Sequence, residues 1–387
     1  MHSEAARGCE STLGEAVLYM ALELSARSWK VLLSSSRGGR RERSVAGGDV
    51  ARLMAEIAAA KHKLGLPPAA RVVSCYEAGR DGFWLHRALV ANGVESLVVD
   101  SSSIEVPQRA RRRKTDRIDL FKLMSLLVRY VGGERSVWSV VRVPEPEVED
   151  IRQLSRGIER LKSERRQHRM RIDSLLVKMG VRLAGIGGKG WPEAWAERVA
   201  ALGLGPHLTF ELIQEGERLA LVERQLSDLK ARREALVAAS DSRIARSTRA
   251  LRRLGAIAQE SSFVFAAELF GWRTFANRRE LAGAVGLTGT PFQSGESEHE
   301  QGISKAGNAR MRTMLVEIAW CWIRLQPQSA LARWWRSRFG AGNKRTRRIG
   351  LVALARKLLV ALWRYLEHGI VPEGATLKTL EAEAAAA

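Results

Sequence analysis

Four acids in the first third of the chain, Glu23, Glu77, Asp116 and Asp119, have types and positions suited to metal-assisted chemistry. Glu23 interrupts an otherwise apolar run. Glu77 directly follows the apolar stretch that ends at Tyr76. Asp116 and Asp119 stand three apart, just after the basic string of residues 109–114, and open a helix that continues through Leu120, Leu123, Met124 and Leu127. Residues 116, 119 or 120, 123 and 127 share one helical face, so both carboxylates extend the apolar stripe. A carboxylate aimed at a core is costly unless it is paired or bound to metal. Taken singly, each acid has an ordinary reading: Glu23 pairs with an arginine, Glu77 caps a turn, Asp116 answers the helix macrodipole. Taken together, a mid-strand acid, a strand-end acid and a helical i, i+3 pair can converge on one sheet edge. Their oxygens suit Mg²⁺ or Mn²⁺, and two such ions about 4 Å apart can clamp both oxygens of a phosphodiester displacement. Asp100, at another strand end, is the main competitor.

A second candidate is Ser294, in the turn-prone string Gln293-Ser294-Gly295. Gly295 gives the backbone freedom to present the hydroxyl, and Lys305, Arg310 and Arg312 could hold a phosphate beside it. A Ser-Gly pair is also common turn chemistry. No G-x-S-x-G elbow surrounds it, which argues against acyl transfer. His299 is a candidate proton carrier or an exposed loop histidine.

Three parts must position these groups. Residues 15–145 alternate strand and helix patterns, which favours helices packed on a partly parallel sheet. Residues 147–240 carry two heptad-like seams, one through Ile151, Leu154, Ile158, Leu161, Ile172, Leu175 and Met179, the other through Leu219, Val222, Leu226, Leu229 and Leu236. The spacing predicts two long helices paired as a coiled-coil arm, interrupted around residues 180–206. Residues 245–370 read as helical and strongly basic. Between residues 331 and 364 there are ten Lys or Arg and no acid, and Trp320, Trp322, Trp334, Trp335 and Trp363 fall in or near that stretch. Core tryptophans beneath a solvated basic face, or phosphate contacts with aromatic stacking, both fit.

Composition narrows the class. With 63 Lys and Arg against 42 Asp and Glu, the formal charge is +21, which attracts polyanions. The 387 residues suffice for two or three domains. Three cysteines without a C-x-x-C pair exclude a disulfide scaffold and fit a reducing cytoplasm, nucleoid-associated if DNA is the partner. No apolar stretch is long enough to cross a membrane, and no secretory leader is apparent.

The strings Ala21-Leu22-Glu23-Leu24-Ser25, Cys75-Tyr76-Glu77-Ala78-Gly79, Lys114-Thr115-Asp116-Arg117-Ile118-Asp119, Gln293-Ser294-Gly295 and Ile303-Ser304-Lys305-Ala306-Gly307-Asn308 occur in this order. Together they resemble the DEDD-type transposases of the bacterial insertion sequence one-ten family, from about residue 17 to 366. The resemblance implies an α/β plus α chain: a RuvC-like (RNase H-like) N-terminal domain, a coiled-coil helical arm and a helical C-terminal transposase domain. By motif it implies Glu23, Glu77, Asp116 and Asp119 as ligands of Mg²⁺ or Mn²⁺, and Ser294 as a nucleophile that joins covalently to DNA. It further implies a homo-oligomer, dimer or tetramer, and a structured guide (bridge) RNA that pairs with donor and target DNA. Two departures stand out. Glu23 occupies a position usually held by aspartate, and its extra methylene shifts the oxygens by over ~1 Å. The string Leu254-Gly255-Ala256-Ile257 is a weak version of a helix-hairpin-helix turn. The competing expectations are a resolvase-like nuclease that hydrolyses with activated water, and a non-catalytic nucleic-acid-binding relic.

Overall fold

In a computed structural model of the chain, the described residues are 16–79, 81–104, 116–188, 190–294 and 297–378. They fall into two compact units, Met1–Val143 and Pro144–Ala387.

The first unit is built on a five-stranded mixed sheet. Its elements are β1 (Val17–Leu24), β2 (Ser28–Ser35), β3 (Arg40–Ala46), α1 (Val50–Lys63), β4 (Arg71–Glu77), α2 (Trp84–Ala91), β5 (Glu95–Val99) and α3 (Asp116–Val131). The strand order is β3-β2-β1-β4-β5; β1, β2 and β3 pair antiparallel, while β1, β4 and β5 pair parallel. Period-two alternation divides the side chains between two faces. Leu18, Met20 and Leu22 of β1 join Val72 and Tyr76 of β4 in the core under α1 and α2, with Leu53, Ile57, Leu85 and Leu89. Val17 and Ala21 join Val73 and Cys75 under α3, with Leu120, Leu123, Met124 and Leu127. Sequence reasoning passed over β3, because RRERSVA has almost no apolar signal. It is an edge strand, and its charged residues discourage further pairing. Arg41 and Arg43 also tie it to Glu56 of α1, at 2.7 and 3.4 Å. Burial pushes the Glu56 pKa up, but hydrogen bonding from Arg41 and the charges of Arg41, Arg52 and Arg43 outweigh it and hold the carboxyl below its ordinary value.

The second unit contains α4 (Pro146–Lys178), α5 (Trp195–Ala200), α6 (Pro206–Ala239), α7 (Arg243–Arg252), α8 (Gln259–Phe265), α9 (Arg278–Ala284), β6 (Gly289–Ser294), β7 (Ser297–Ile303), α10 (Ala309–Leu325), α11 (Ala330–Phe339) and α12 (Lys344–His368). α4 and α6, 33 and 34 residues long, lie side by side. They run antiparallel, since Gly157 meets Leu229 whereas Arg171 and His168 meet Glu215. The expected seam holds through Ile158 and Ile172 and then shifts: Leu176 is buried, Leu175 is half-buried, and Met179 is 52% exposed. The shift follows from the residues after α4, where Trp191 and Trp195 fold back over the end of the helix pair. Trp195 donates to the Leu212 carbonyl (2.8 Å), and only a glycine at 216 admits its ring, because a Cβ there would lie 2.0 Å from the indole nitrogen.

The main core of the second unit gathers α7, α8, α9, α10, α11 and α12 around Trp322, Phe265, Leu315, Leu354 and Leu358. Asn308 caps α10 through Met311 N (3.2 Å), and Asn343 caps α12 through Thr346 N (2.9 Å). Among the described residues no helix is long and apolar enough to cross a membrane.

Candidate functional site

Leu22 of β1 and Tyr76 of β4 are in register, so Glu23 and Glu77 occupy the next positions at the carboxyl ends of two neighbouring parallel strands. Alternation from Ala21 and Cys75 puts both on the face of the sheet that α3 covers. They line one cavity of about 250 Å³ with Leu22, Leu24, Tyr76, Ala78, Gly79 and Asp81. Tyr76 donates to the Gly82 carbonyl (3.1 Å), and Ala78 N donates to Val99 O (2.8 Å), which together hold the loop that forms the cavity wall. Lys30 of β2 stands directly opposite Glu23 in the antiparallel register. Asp81 is the acid that sequence reasoning missed; the available signal was a carboxylate four residues beyond Glu77 on the same loop.

α3 lies over the same face. The Cys75 thiol reaches the Leu123 carbonyl at 3.9 Å, and Asp119, half-buried, is one turn before Leu123. Burial pushes the Cys75 thiol pKa well up, with the Glu77 charge adding to it, so this cysteine is an inert core group rather than a nucleophile. Asp116 opens α3, but its side chain lies outside the described residues. Asp100 follows β5, its N–H donating to Ser139 O (2.9 Å) and its carbonyl accepting from Ser103 N (2.9 Å), and it does not line the Glu23–Glu77 cavity.

Among the described residues, no three His, Cys, Asp or Glu side chains converge tightly enough to enclose a metal. What is present is an open cavity with two carboxylates at its strand-end wall and a third acid in its loop. That donor set fits Mg²⁺ or Mn²⁺. Mg²⁺ is commonly held by one or two carboxylates, with water and substrate phosphate completing the shell.

Ser294 ends β6, and the segment read as a loop is a hairpin: Ser294 pairs with Ser297, Gln293 with Glu298, and Phe292 with His299. The Ser294 side chain lies outside the described residues, as does that of His299. Ser304 N donates to Thr288 O (2.9 Å), Lys305 N to Gly286 O (3.2 Å), and Asn308 N to Ala284 O (3.0 Å). Gly286 has φ +69°, and a Cβ there would come within 2.0 Å of the Ala306 carbonyl. The Ser304–Asn308 string is therefore the clamp that fixes both ends of the hairpin against α9 and starts α10.

This assigns Arg310 and Arg312 differently from the expectation that they hold a phosphate beside Ser294. Arg312 Nη1 donates to the carbonyls of Val285 (3.1 Å) and Lys305 (3.0 Å), closing the clamp. Arg310 pairs with Glu159 (2.6 Å) and with buried Glu268 (3.2 Å). Lys305 is exposed.

The basic stretch divides in the same manner. Arg336 donates to Pro327 O and Ile323 O, both at 2.8 Å, and Arg347 caps Gly340 O (2.8 Å). Arg338, Lys344, Arg345 and Arg348 are exposed around the α11–α12 corner. Of the five tryptophans near this stretch, Trp322 and Trp335 are core, Trp334 and Trp363 are half-buried, and Trp320 is exposed. Of these five rings, Trp320 is the one that the fold leaves exposed.

The family described as "Transposase IS116/IS110/IS902 family" matches residues 248–334, from within α7 to within α11. A protein of Sinorhizobium fredii (strain NBRC 101917 / NGR234) named "Putative transposase y4rJ" is 38% identical over 383 residues, covering 94% of this chain and 95% of its own. A second from the same strain, "Putative transposase y4qE", is 31% identical over 250 residues, covering 64% of this chain and 58% of its own. Relatedness at that level along nearly the whole length places this chain in the IS116/IS110/IS902 transposase family.

Proposed function

We propose that the protein cuts and rejoins DNA with two sets of groups: a divalent metal held by Glu23, Glu77, Asp116 and Asp119, and the hydroxyl of Ser294. The observation that carries this reading is the shared cavity of Glu23 and Glu77 at the ends of β1 and β4, on the face over which α3 begins with Asp116 and Asp119. The five-stranded mixed sheet with helices on both faces supports a RuvC-like description of the first unit.

When bound, Mg²⁺ or Mn²⁺ would neutralise charge on the phosphate oxygens of the scissile link. Glu23 and Glu77 would hold it from the rigid ends of paired strands, and Asp119 from the first turn of α3. An unassisted serine is a weak nucleophile. Ser294 Oγ would form a bond to phosphorus as the bond from phosphorus to one sugar oxygen breaks. The serine proton would pass to a carboxylate or to water, and the departing sugar oxygen would take up a proton. The hairpin supports this assignment, because Ser294 is paired with Ser297 in the β6–β7 ladder instead of lying in a free loop. A structured guide RNA and a homo-oligomer complete the proposal; the +21 charge supports a polyanionic partner, DNA or RNA.

The test is a denaturing-gel assay for a covalent protein–DNA adduct, using protein purified with its co-isolated RNA, terminal DNA of the element and Mg²⁺ or Mn²⁺. The expected result is an adduct that Ser294→Ala abolishes and Glu77→Gln reduces to background. Multiple turnover with free DNA ends, undiminished in Ser294→Ala, would replace the serine mechanism with hydrolysis by water.

A further inference from the structure

A second cavity, of about 490 Å³, lies entirely within the second unit, between α7 and the end of α12. One face of α7 and the residue that caps its end supply Arg243, Arg246, Ser247, Ala250 and Arg253, at the three-four spacing that keeps residues on one side of a helix. The opposite wall is Tyr365, Leu366, Val371 and Leu377. The two walls are tied together, since the Tyr365 hydroxyl donates to Ala250 O (3.1 Å), Arg243 pairs with Glu367, and Lys378 N donates to Arg253 O (2.7 Å). The cavity is thus a built feature of the fold.

Its chemistry is mixed in a specific way. The Arg243 charge is answered by Glu367. Arg246 and Arg253 are exposed at the same cavity and have no carboxylate partner among the described residues; Arg246 donates only to the Asp241 carbonyl (2.5 Å). Two positive charges therefore face a wall of one tyrosine and three aliphatic side chains. A bare phosphate has no use for that wall, and an apolar ligand has no use for the guanidinium pair. The volume falls within the ~300–1,000 Å³ of small-molecule sites, large enough for a base and its sugar.

We propose that this cavity binds one nucleotide of a single-stranded nucleic acid, with phosphate on Arg246 and Arg253 and the base against Tyr365, Leu366 and Val371. Arginine suits the phosphate because its planar fork gives two parallel hydrogen bonds, and a base packed on an aromatic or apolar wall is bound without regard to sequence. The site shares no residue with the Glu23–Glu77 cavity and does not include Ser294, so it does not depend on how those groups react.

The probe is a fluorescein-labelled single-stranded oligothymidylate of about 15 residues, followed by anisotropy with the full chain across a salt series. For single strands, each phosphate contact contributes about 0.7 to the slope of log K against log salt. The double variant Arg246→Gln/Arg253→Gln removes one phosphate contact and is expected to lower that slope by about 0.7 and the affinity at 0.1 M salt by about fivefold. A control, Arg224→Gln/Arg232→Gln on the exposed face of α6, changes net charge equally and is expected to lose less than about twofold. Equal losses in the two variants, or none in the first, would overturn the proposal. Thymidine monophosphate provides the last arm. Competition at millimolar concentration would assign the cavity to free nucleotide, and its absence, with the first result obtained, would assign it to a strand.

Discussion

Replacing Glu268 with glutamine should unlock the second unit, and the structure gives the size of the effect. Glu268 sits in a π-helical turn, residues Ala266–Phe270, that continues α8, and its side chain is 1% exposed. Arg152 reaches it with two nitrogens, at 3.0 and 2.8 Å, Arg156 at 3.1 Å, and Arg310 at 3.2 Å. The carboxylate thus joins the base of α4 to the first turn of α10. Glutamine keeps the volume and one acceptor but deletes the charge. Arg156 is 46% exposed and falls back on water. Arg152, 13% exposed, loses its one carboxylate partner among the described residues, while Arg310, 20% exposed, keeps Glu159. Breaking a buried pair from one side costs about 3–5 kcal/mol, and the partial exposure of the arginines selects the low end, about 3 kcal/mol. For a unit of this size that lowers its midpoint by roughly 6–12 °C. The pH dependence gives a second reading. Burial pushes the Glu268 pKa up, but hydrogen bonds and charges of Arg156 and Arg152 outweigh it and leave the carboxyl below its ordinary value. A lowered folded pKa stabilises at pH above the ordinary glutamate range, about 4.3, and that stabilisation is lost as the pH falls toward the folded value. Scanning calorimetry of both proteins should show a gap that is full at pH 7 and closes below about pH 4. A gap under about 1 kcal/mol at pH 7, or one that stays constant down to pH 3, would refute the assignment of Glu268 as the charged lock.

Two further outcomes follow from the site geometry. Gly286→Ala combines a left-handed φ, worth about 1–2 kcal/mol for any L side chain, with a Cβ only 2.0 Å from Ala306 O. It should displace the Ser304–Asn308 clamp and abolish the DNA adduct while Mn²⁺ binding is unchanged; retained adduct would show that the clamp does not position Ser294. Glu23→Ala should lower Mn²⁺ affinity, read by electron paramagnetic resonance, by about tenfold or more with a melting point within a few degrees of wild type, whereas Glu23→Asp should retain binding; equal affinity in all three would remove Glu23 from the ligand set.

The division between what the sequence disclosed and what it hid follows burial. The strands β1, β4 and β5 and the α3 stripe were legible because each buries an unbroken or alternating apolar set, and burial is what periodicity reports. β3 escaped because an edge strand exposes most of its residues, so Arg40, Arg41, Glu42 and Arg43 carry no core signal. The β6–β7 hairpin escaped for a related reason: GTPFQS and SEHEQGI hold few apolar residues, and their order comes from backbone pairing and from the clamp below them. The acids of the first cavity could be picked out by type and by strand-end position, but the register that makes Glu23 and Glu77 neighbours is a long-range property of β1 and β4. Asp81 entered the site only through the loop that Tyr76 pins.

The arginines teach the opposite lesson, because composition overstated their availability. Arg310 and Arg312 lie beside the serine motif in sequence, yet one neutralises a buried glutamate and the other ties two carbonyls. An arginine satisfied in this way cannot turn to a phosphate without leaving its buried partner unpaired, at a cost larger than one exposed phosphate contact returns. Among the described residues, the cations without a carboxylate partner that stay exposed include Arg246 and Arg253 at the second cavity and Arg338, Lys344, Arg345 and Arg348 at the α11–α12 corner. A surplus of +21 therefore measures attraction to polyanions in general, while the specific grip depends on how few of those cations the interior has claimed.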